Sequence, residues 1–453
     1  MSSAMRIVIV GGGLVGETLA DKLARDGHDI SLIEHHGPTA RALDERLDVQ
    51  VVQGNGAKAP VLRAAGIEEA ELVVATSNSD ETNMIVGLLA ASLFRVSHIV
   101  VRLRDPEHME GFSLVSREHP FEHVCVDPEA AAVERIDALL GVPSALDVVE
   151  FMDGKLLMVA FQIGRDSDFV DQPVAFMTLA FAGTPALVAA IDRAGDWVIP
   201  DGSEEIRARD IVYFAIPREH LEDLASLVGV REDRRRTVMV AGASRIGLEL
   251  ARRLEGRDGR VVLIEQDPDL ARSAAAQLDR TLVVQGRVTD RTVLVEEDVD
   301  RVATFVAATP DHEINLVAGL LAKRLGAARA FALVDNPALV NLIGDIGIDA
   351  MISPRLLAIG LTLQHIHGAG VRSVAPLLED RVEVVEAEAV RGSPITRASI
   401  AEVGIERGIL IAALRRGDEL LLPSGEDRVE EGDLVLMIAT TDQAPKVARY
   451  LTP

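Results

Sequence analysis

Apolar and polar positions follow one repeating pattern over the first third of this chain. From Arg6 onward, short apolar runs rich in Val and Ile alternate with longer segments whose apolar positions recur at helical spacing. Such alternation is typical of a doubly wound parallel sheet covered by helices. The predicted strands are Ile7–Val10, Ile30–Glu34, Val49–Val52, Leu72–Ala75, Ile99–Leu103 and Val124–Val126, and the predicted helices are Leu14–Arg25, Thr39–Leu47, Glu81–Leu93 and Pro128–Leu140.

The pattern changes after Val142-Pro143, where strand-like pieces surround a single helix. This arrangement predicts a small α+β module over residues 146–229. Its predicted strands are Asp147–Phe151, Leu156–Ile163, Trp197–Ile199 and Ile211–Ala215, and its predicted helix is Val174–Phe181. The charged stretch Arg231–Arg236 follows, and we interpret it as a solvated linker. An anion-binding patch at Arg234–Arg236 is the alternative.

The second half of the chain repeats the plan of the first. The glycine segment that begins at Gly11 returns at Gly242, and Glu34 returns as Glu265, both 231 residues later. The small module recurs as well, since Trp197–Gly202 is matched by Leu420–Gly425. We therefore predict an α/β fold with two Rossmann-like doubly wound parallel-sheet domains, each followed by a small α+β domain. The predicted boundaries are 5–141, 146–229, 236–365 and 374–453.

The first glycine segment has the form of a phosphate-binding loop. It lies between a predicted strand and a predicted helix and reads Gly11-Gly12-Gly13-Leu14-Val15-Gly16. In such a loop the first glycine allows the tight turn, the middle one lets the backbone approach a pyrophosphate, and the last lets helix and strand pack closely. The free N–H groups and the positive end of the helix attract the anion. A purely structural turn is the alternative.

Further polar residues end the neighbouring predicted strands. Glu34 is suited to accept both ribose hydroxyls and would repel a 2′-phosphate, which favours NAD or an adenine nucleotide over NADP. An ordinary solvated acid is the alternative for Glu34. We expect His35 and His36 to be solvated, and contact with a ribose or adenine is the alternative. Because ligands bind at the carboxyl ends of parallel strands, the remaining candidates at this edge are Gly54, Asn55, Thr76, Ser77 and Arg102.

Arg102 would pair with a phosphate, or alternatively with a local carboxylate. The second copy has the run Phe331–Val334 in its place, so we expect the two sites to differ. The second loop also carries Ser244 at the middle glycine position, and its Cβ would hinder a ligand. Arg245 is suited either to supply compensating charge or to face solvent. The candidates at the second site are Gly242, Ala243, Ser244, Arg245, Ile246 and Glu265.

Composition excludes several classes of function. The 453 residues include 46 Lys and Arg against 71 Asp and Glu, a net charge of −25 that disfavours nucleic-acid binding and anionic membranes. No apolar stretch reaches the length of a membrane span, so we expect a cytoplasmic protein without direct membrane insertion. Cys125 is the single cysteine and is expected to pack as a small hydrophobe. We find no catalytic constellation or metal-binding spacing, and we assign His365 and His367 structural roles.

The motifs together resemble the TrkA family. The resemblance rests on the glycine loop, Glu34, Val51–Gly54, the run Leu72–Met84 that contains Asp80-Glu81-Thr82-Asn83, and the duplication of both lobes. That family comprises cytosolic regulatory subunits of bacterial Trk potassium uptake, built from two tandem regulator-of-potassium-conductance (RCK) units. Each unit has an N-terminal Rossmann-type lobe (RCK_N) and a C-terminal lobe (RCK_C).

The resemblance implies a gating ring on a membrane K⁺-translocating subunit, responsive to NAD(H) and to ATP versus ADP. It also implies self-association into dimers and a tetramer through the Rossmann lobes, and peripheral attachment to the inner face of the cell membrane. Carried over, the first site would use Gly11 to Val15, Glu34, Thr76, Ser77 and Arg102, and the second Gly242 to Ile246 and Glu265. The alternatives are a regulator of another K⁺ channel or antiporter, a freestanding nucleotide sensor and an NAD-dependent oxidoreductase.

Overall fold

The computed structural model describes residues 4–116, 122–181, 183–229, 235–335, 347–365, 371–377 and 382–451. The first parallel sheet has the strand order β3-β2-β1-β4-β5-β6 over these residues. Because the order reverses between β1 and β4, a crevice opens where the loops after these two strands meet. The strands are β1 (Arg6–Val10), β2 (Asp29–Glu34), β3 (Gln50–Gln53), β4 (Leu72–Ala75), β5 (His98–Arg102) and β6 (Glu122–Val126).

The described helices of this sheet are α1 (Leu14–Arg25), α2 (Gly37–Arg46), α3 (Ala59–Ala64), α4 (Asp80–Leu89) and α5 (Pro106–Ser116). Among them, α1 has the predicted bounds, α2 and α4 begin within two residues of the predicted positions, and the pattern did not predict α3 or α5. The helix predicted over Glu81–Leu93 ends its α-helical part at Leu89 and continues as one π-helical turn, Ala90–Phe94. Arg95 then takes a left-handed conformation with φ of 58°, which ends the helix. Cys125 packs partly buried beside this core, and burial raises the pKa of its thiol to about 11.

The first small module is an antiparallel sheet with the strand order β10-β9-β11-β8-β7. The elements from residue 128 to 227 are α6 (Pro128–Gly141), β7 (Asp147–Phe151), β8 (Leu156–Gln162), α7 (Val174–Ala180), β9 (Leu187–Arg193), β10 (Asp196–Val198), β11 (Ile211–Pro217) and α8 (Leu221–Leu227). The sequence pattern did not predict β9, although this strand pairs with both β10 and β11. Its two consecutive alanines lower the β-propensity of the segment.

The second parallel sheet repeats the first, with the order β14-β13-β12-β15-β16-β17 in the described part of the chain. Its strands are β12 (Thr237–Ala241), β13 (Val261–Glu265), β14 (Leu282–Gln285), β15 (Val302–Ala307), β16 (Arg329–Leu333) and β17 (Ala350–Ile352), and its helices are α9 (Arg245–Leu254), α10 (Pro268–Gln277), α11 (Arg291–Glu296) and α12 (His312–Leu325). Of the predicted linker Arg231–Arg236, residues 231–234 lie outside the described residues.

The second small module is antiparallel like the first, with β19, β22, β20 and β21 neighbouring one another in that order. The remaining elements are α13 (Pro354–Gln364), β18 (Val371–Leu377), β19 (Val382–Glu388), α14 (Ile400–Val403), β20 (Ile409–Arg416), β21 (Glu419–Leu421), β22 (Leu434–Thr440) and α15 (Ala444–Leu451). The predicted fold class, two Rossmann-like sheets each followed by a small α+β module, is thereby confirmed.

Two helices each have contacts with the parallel sheet that they do not directly follow in the chain. Helix α13 follows β17, yet its buried residues Ala358, Ile359 and Leu363 lie in the apolar core formed by β1 and α1 of the first sheet. Helix α6 follows β6, yet its Asp137 accepts ion pairs from Arg253 (3.0 Å) and Arg257 (2.8 Å) at the end of α9. The predicted boundaries at residues 141 and 365 place both helices with the preceding sheet, and those boundaries stay predictions.

Candidate nucleotide sites

Two glycines of the first loop are required by the backbone itself. Gly11 has a φ of +110°, and a Cβ there would lie 2.8 Å from the backbone nitrogen of Ser77. A Cβ at Gly16 would overlap the carbonyl oxygen of Gly11. Any side chain at either position would therefore force β1, α1 and the end of β4 apart. These contacts agree with the roles predicted for the first and last glycines of the loop.

Gly13 differs, because nothing in the described structure surrounds its Cβ position within 4 Å. Its φ of −70° is open to any residue, so the fold alone does not require glycine here. It is the N-cap of α1 and provides no side-chain hydrogen bond to the helix. The N-cap therefore leaves the first N–H groups of α1 without a side-chain acceptor, which is the arrangement that binds an anion at a helix N-terminus.

Glu34 is built into the loop and is not a solvated acid. Its side chain is buried at the end of β2. Oε2 accepts the backbone N–H of Gly12 at 2.8 Å, and Oε1 accepts that of His36 at 2.7 Å. A carboxylate can accept about four hydrogen bonds, so Oε2, with one backbone donor, keeps a lone pair for a ribose hydroxyl. His35 lies 3.0 Å from Oε1 with an exposed ring, and His36 contacts Thr39.

The other candidates of the first site lie at the same edge of the sheet. The N–H of Gly54 donates to the carbonyl of Glu34, so the end of β3 is fixed beside that residue. Asn55 accepts the N–H of Ala57 through its side chain and closes the following turn. Thr76 is buried, and its N–H donates to the carbonyl of Val10 at 2.8 Å. The ends of β1, β2, β3 and β4 are thus brought together, as predicted.

The fully buried Asn83 holds the loops after β4 and β5 in place. Its Oδ1 accepts both the N–H and the hydroxyl of Ser77, at 2.9 and 2.8 Å. Its Nδ2 donates to the carbonyls of Ser77 and Arg102, at 3.0 and 2.8 Å. The sequence analysis did not assign Asn83 to the site. The signal was available, because Asn315 stands six residues after Thr309 just as Asn83 stands six after Ser77.

Asp80 and Arg104 form a second support that the sequence analysis missed. The buried carboxylate of Asp80 accepts the backbone N–H groups of Arg104 (2.6 Å) and Asp105 (2.9 Å) and the Nε of Arg104 (3.3 Å). Burial alone would raise the pKa of this carboxyl. The hydrogen bonds and the guanidinium outweigh burial and hold the pKa of Asp80 below its usual value. Arg102 itself lies half-buried at the end of β5, and its contact with a phosphate stays a prediction.

The second loop has the same backbone geometry. Gly242 has a φ of +107°, and a Cβ at Gly247 would overlap the carbonyl oxygen of Gly242. Glu265 is buried and accepts the N–H groups of Ala243 (2.7 Å) and Asp267 (2.9 Å). Asn315 binds Thr309 and the carbonyl of Leu333, as Asn83 does in the first copy. The cradle around the second loop is therefore intact.

The difference between the loops lies at Ser244. Its hydroxyl caps α9 by accepting the N–H of Gly247 at 3.2 Å, and it donates to the carbonyl of Ala308 at 2.5 Å. One N–H that a phosphate would use is thus already satisfied by the protein. Arg245 follows directly and forms an ion pair with Glu129 of α6 at 3.4 Å. Ile246 is buried in the core.

The described residues contain no group of three or more His, Cys, Asp or Glu side chains that could hold a metal ion. No described helix is long and apolar enough to cross a membrane. His365 lies at the end of α13, whereas His367 lies outside the described residues.

Comparisons with known proteins agree on one family. The TrkA-N domain model matches residues 7–137 and 238–354, and the TrkA-C domain model matches residues 158–229 and 384–452. The Trk system potassium uptake protein TrkA of Azorhizobium caulinodans is 32% identical over 98% of both chains. The protein of the same name from Halomonas elongata is 33% identical over 96% of this chain and 95% of its own.

Solved structures share the fold over the whole length. The RCK domain of GsuK aligns with a TM-score of 0.61 at 19% identity, covering 99% of this chain and 95% of that one. A GsuK channel bound to NAD aligns with a TM-score of 0.62, covering 99% of this chain and 79% of that one. The family expected from the sequence is confirmed, and so is the expectation of a regulatory component of potassium uptake and not an enzyme. The chain belongs to the TrkA family of Trk potassium-uptake proteins.

Proposed function

We propose that this chain is the cytoplasmic nucleotide sensor of a Trk-type potassium uptake system, and that its first glycine loop is the stronger nucleotide site. The observation that carries the proposal is the open, uncapped N-terminus of α1 at Gly13, with the buried Glu34 beside it. This combination presents N–H donors to a pyrophosphate and a carboxylate to a ribose diol.

The ligands proposed for this site are NAD(H) and the pair ATP and ADP. The N–H groups at Gly13 and Leu14 would hold the phosphates, and Glu34 the adenosine ribose. Because the carboxylate of Glu34 repels a 2′-phosphate, NADH binds more tightly than NADPH. Similar folds bound to NAD and to ADP, both GsuK structures, support this choice of ligand class.

The proposed output of the sensor is a change in a membrane K⁺-translocating partner of the Trk type. A ligand shifts such a partner only if it binds one conformation of the sensor more tightly than another. We further propose that the chains assemble into dimers and a tetramer through the Rossmann lobes and attach to the inner face of the cell membrane through this partner. Co-purification of the chain with a multi-spanning K⁺-translocating protein of the Trk type tests the proposed partner. Recovery with a K⁺ channel or antiporter would instead assign the chain to that other protein.

Titration calorimetry with NADH, NADPH, ATP and ADP tests the ligand proposal, with NADH absorbance followed in the same samples. We expect binding of NADH and ATP, weaker binding of NADPH, and no loss of absorbance. Consumption of NADH, or preference for NADPH, would contradict the sensor and the role given to Glu34.

Arg102 is the proposed group that distinguishes ATP from ADP. A guanidinium binds the additional phosphate of ATP, and the second copy has Leu333 at the equivalent register position. Replacement Arg102→Ala should reduce the ratio of ATP to ADP affinity about tenfold and change NADH affinity about twofold or less, as one lost charged hydrogen bond predicts. Leu333→Ala is the matched control. An unchanged ATP to ADP ratio in R102A would reject this role.

A further inference from the structure

An arginine-lined cavity lies at the edge of the second parallel sheet opposite to its glycine loop. Its volume is about 620 Å³. Residues at the starts of β12, β13, β15 and β16 line the cavity, whereas the glycine loop follows the end of β12. A five-residue strand separates the two edges by about 16 Å. The charged lining consists of Arg235, Arg236, Arg257, Arg260, Arg329 and Asp258.

This concentration of positive charge is unusual in a chain with a net charge of −25. Arg257 pairs with Asp137, and Arg260 pairs with Glu297. Arg236 makes no ion pair or hydrogen bond through its side chain within the described part of the molecule. Like charges held together repel one another, so an anion in the cavity would relieve a cost that the folded protein otherwise bears.

Backbone contacts hold two of the arginines in fixed positions. Arg329 donates to the carbonyls of Leu139 (3.3 Å) and Val142 (3.1 Å), and its guanidinium lies over the ring of Phe331. Arg235 donates to the carbonyl of Gly326 at 2.9 Å. The donors are therefore positioned before a ligand arrives, which lowers the entropy cost of binding.

The fold does not need these arginines, as the first copy shows. At register-equivalent positions the first sheet has Ala4, Met5, Asp26, Asp29 and His98 in place of Arg235, Arg236, Arg257, Arg260 and Arg329. Arg6, the arginine at that edge of the first sheet, pairs with Glu69 at 2.8 Å and with Asp29 at 3.7 Å. The same strand order is thus formed with a neutralised edge, so the sheet itself does not require the arginines of the second copy.

The cavity also offers an apolar floor. Leu140 and Pro143 line it from α6 and the turn that follows, and Leu254 and Val261 line it from the second sheet. The volume lies within the usual range of small-molecule sites, which is about 300–1,000 Å³. Guanidinium groups bind phosphate oxygens in pairs of hydrogen bonds, more strongly than an ammonium does.

We infer that this cavity binds a small molecule bearing two or more phosphate groups, at a site separate from both glycine loops. The arginines bind the phosphates, and the apolar floor accepts the remainder of the molecule. Such a ligand would act on the second sheet from its opposite edge. Because α6 lines the cavity, binding would also fix the position of that helix against β13 and β16.

Calorimetric titration of the full chain with inorganic tripolyphosphate tests the inference. The cavity variant R236M/R260D installs the residues of the first copy, and the control R272M/R391D makes the same change in net charge at exposed arginines outside the cavity. We expect the cavity variant to lose one tripolyphosphate site per chain or to bind it at least tenfold more weakly. The control should stay within twofold of the parent chain. Sites at the glycine loops contribute equally to both variants and cancel in the comparison.

Circular dichroism checks that both variants are folded, and R236Q/R260Q replaces the cavity variant if it is not. Equal tripolyphosphate binding by the cavity variant and the control would overturn the inference. A second arm measures sedimentation of the parent chain with phosphatidylglycerol vesicles. Binding to vesicles that is lost in the cavity variant, without any tripolyphosphate binding, would also overturn it, since the cavity would then contact a membrane surface.

Discussion

The two parallel sheets of this chain are built alike at one edge and differently at the other. At the carboxyl ends of their strands both hold a glycine loop, a buried glutamate that accepts two backbone N–H groups, and a buried asparagine that joins two loops. At the amino ends, the first sheet has Asp29 and His98 where the second has Arg260 and Arg329. Duplication thus kept the parts that the backbone requires and changed the side chains at the opposite edge of the sheet.

Substitution of the last glycine of either loop should have the largest effect. In Gly16→Ala the new Cβ overlaps the carbonyl oxygen of Gly11, so we expect loss of NADH binding at the first site and a decrease of about 3 kcal/mol in the free energy of unfolding. Denaturant titration and calorimetry measure the two effects. Gly13→Ala is the control, because its Cβ meets open space, and its stability should stay within about 0.5 kcal/mol.

Replacing the buried carboxylates should affect NADH binding differently at the two sites. Glu34→Gln loses charged hydrogen bonds to the N–H groups of Gly12 and His36, each contributing about 1.5–3 kcal/mol. We expect NADH to bind about 30-fold more weakly, measured by calorimetry. Glu265→Gln makes the same change in the second cradle and should leave the tighter NADH affinity within twofold. Equal losses in both variants would contradict the assignment of the first loop as the stronger site.

The variant Asp80→Asn should lower the free energy of unfolding by an amount that depends on pH. The second copy has a different residue at the position of Asp80. Because the folded pKa of Asp80 is lowered, its carboxylate stabilises the protein above the unfolded pKa of about 4, and this contribution is lost as the pH falls through the folded pKa. We expect D80N to cost about 2 kcal/mol at neutral pH, with a difference from the parent that narrows below about pH 4.

Urea titrations at several pH values measure this effect. The second copy has His312 at this position, 3.4 Å from Asp335. The control Asp335→Asn should cost less than about 1 kcal/mol, as partly exposed ion pairs do. A pH-independent difference between D80N and the parent would contradict the account of Asp80.

Exchanging the middle loop residue should give the smallest effect and the sharpest comparison. In Gly13→Ser the new hydroxyl is placed to cap α1 as Ser244 caps α9, and it competes with a phosphate for one N–H. We expect NADH to bind about five- to tenfold more weakly, close to the cost of about 1 kcal/mol for one hydrogen bond. Ser244→Gly should strengthen binding at the second site by a similar factor. Calorimetry measures the NADH affinity of both variants. An unchanged affinity in both would show that Ser244 does not cause the difference between the two sites.

The sequence predicted the architecture well because buried parallel strands leave continuous apolar runs and glycine loops recur at fixed spacing. The sequence analysis failed where the structure depends on contacts between residues that are far apart in the chain. The amphipathic pattern of α13 shows that one face is buried, but not that Ile359 lies in the same apolar core as Ile7. The linker interpretation of Arg231–Arg236 stays a prediction, and the sequence did not show that Arg235 and Arg236 line a cavity with arginines from two other segments. Asn83 was missed because its spacing from Ser77 was not compared with that of Asn315 from Thr309, although both spacings are visible in the sequence.

The placement of α13 has a consequence for the synthesis of the protein. The ribosome finishes β6 about 230 residues before it reaches α13. At about 5–20 residues per second, that interval lasts roughly 10–50 s. During this time the apolar face of the first sheet that α13 covers stays without its final helix. The nascent chain therefore presents this face to chaperones until nearly four-fifths of the sequence has been translated.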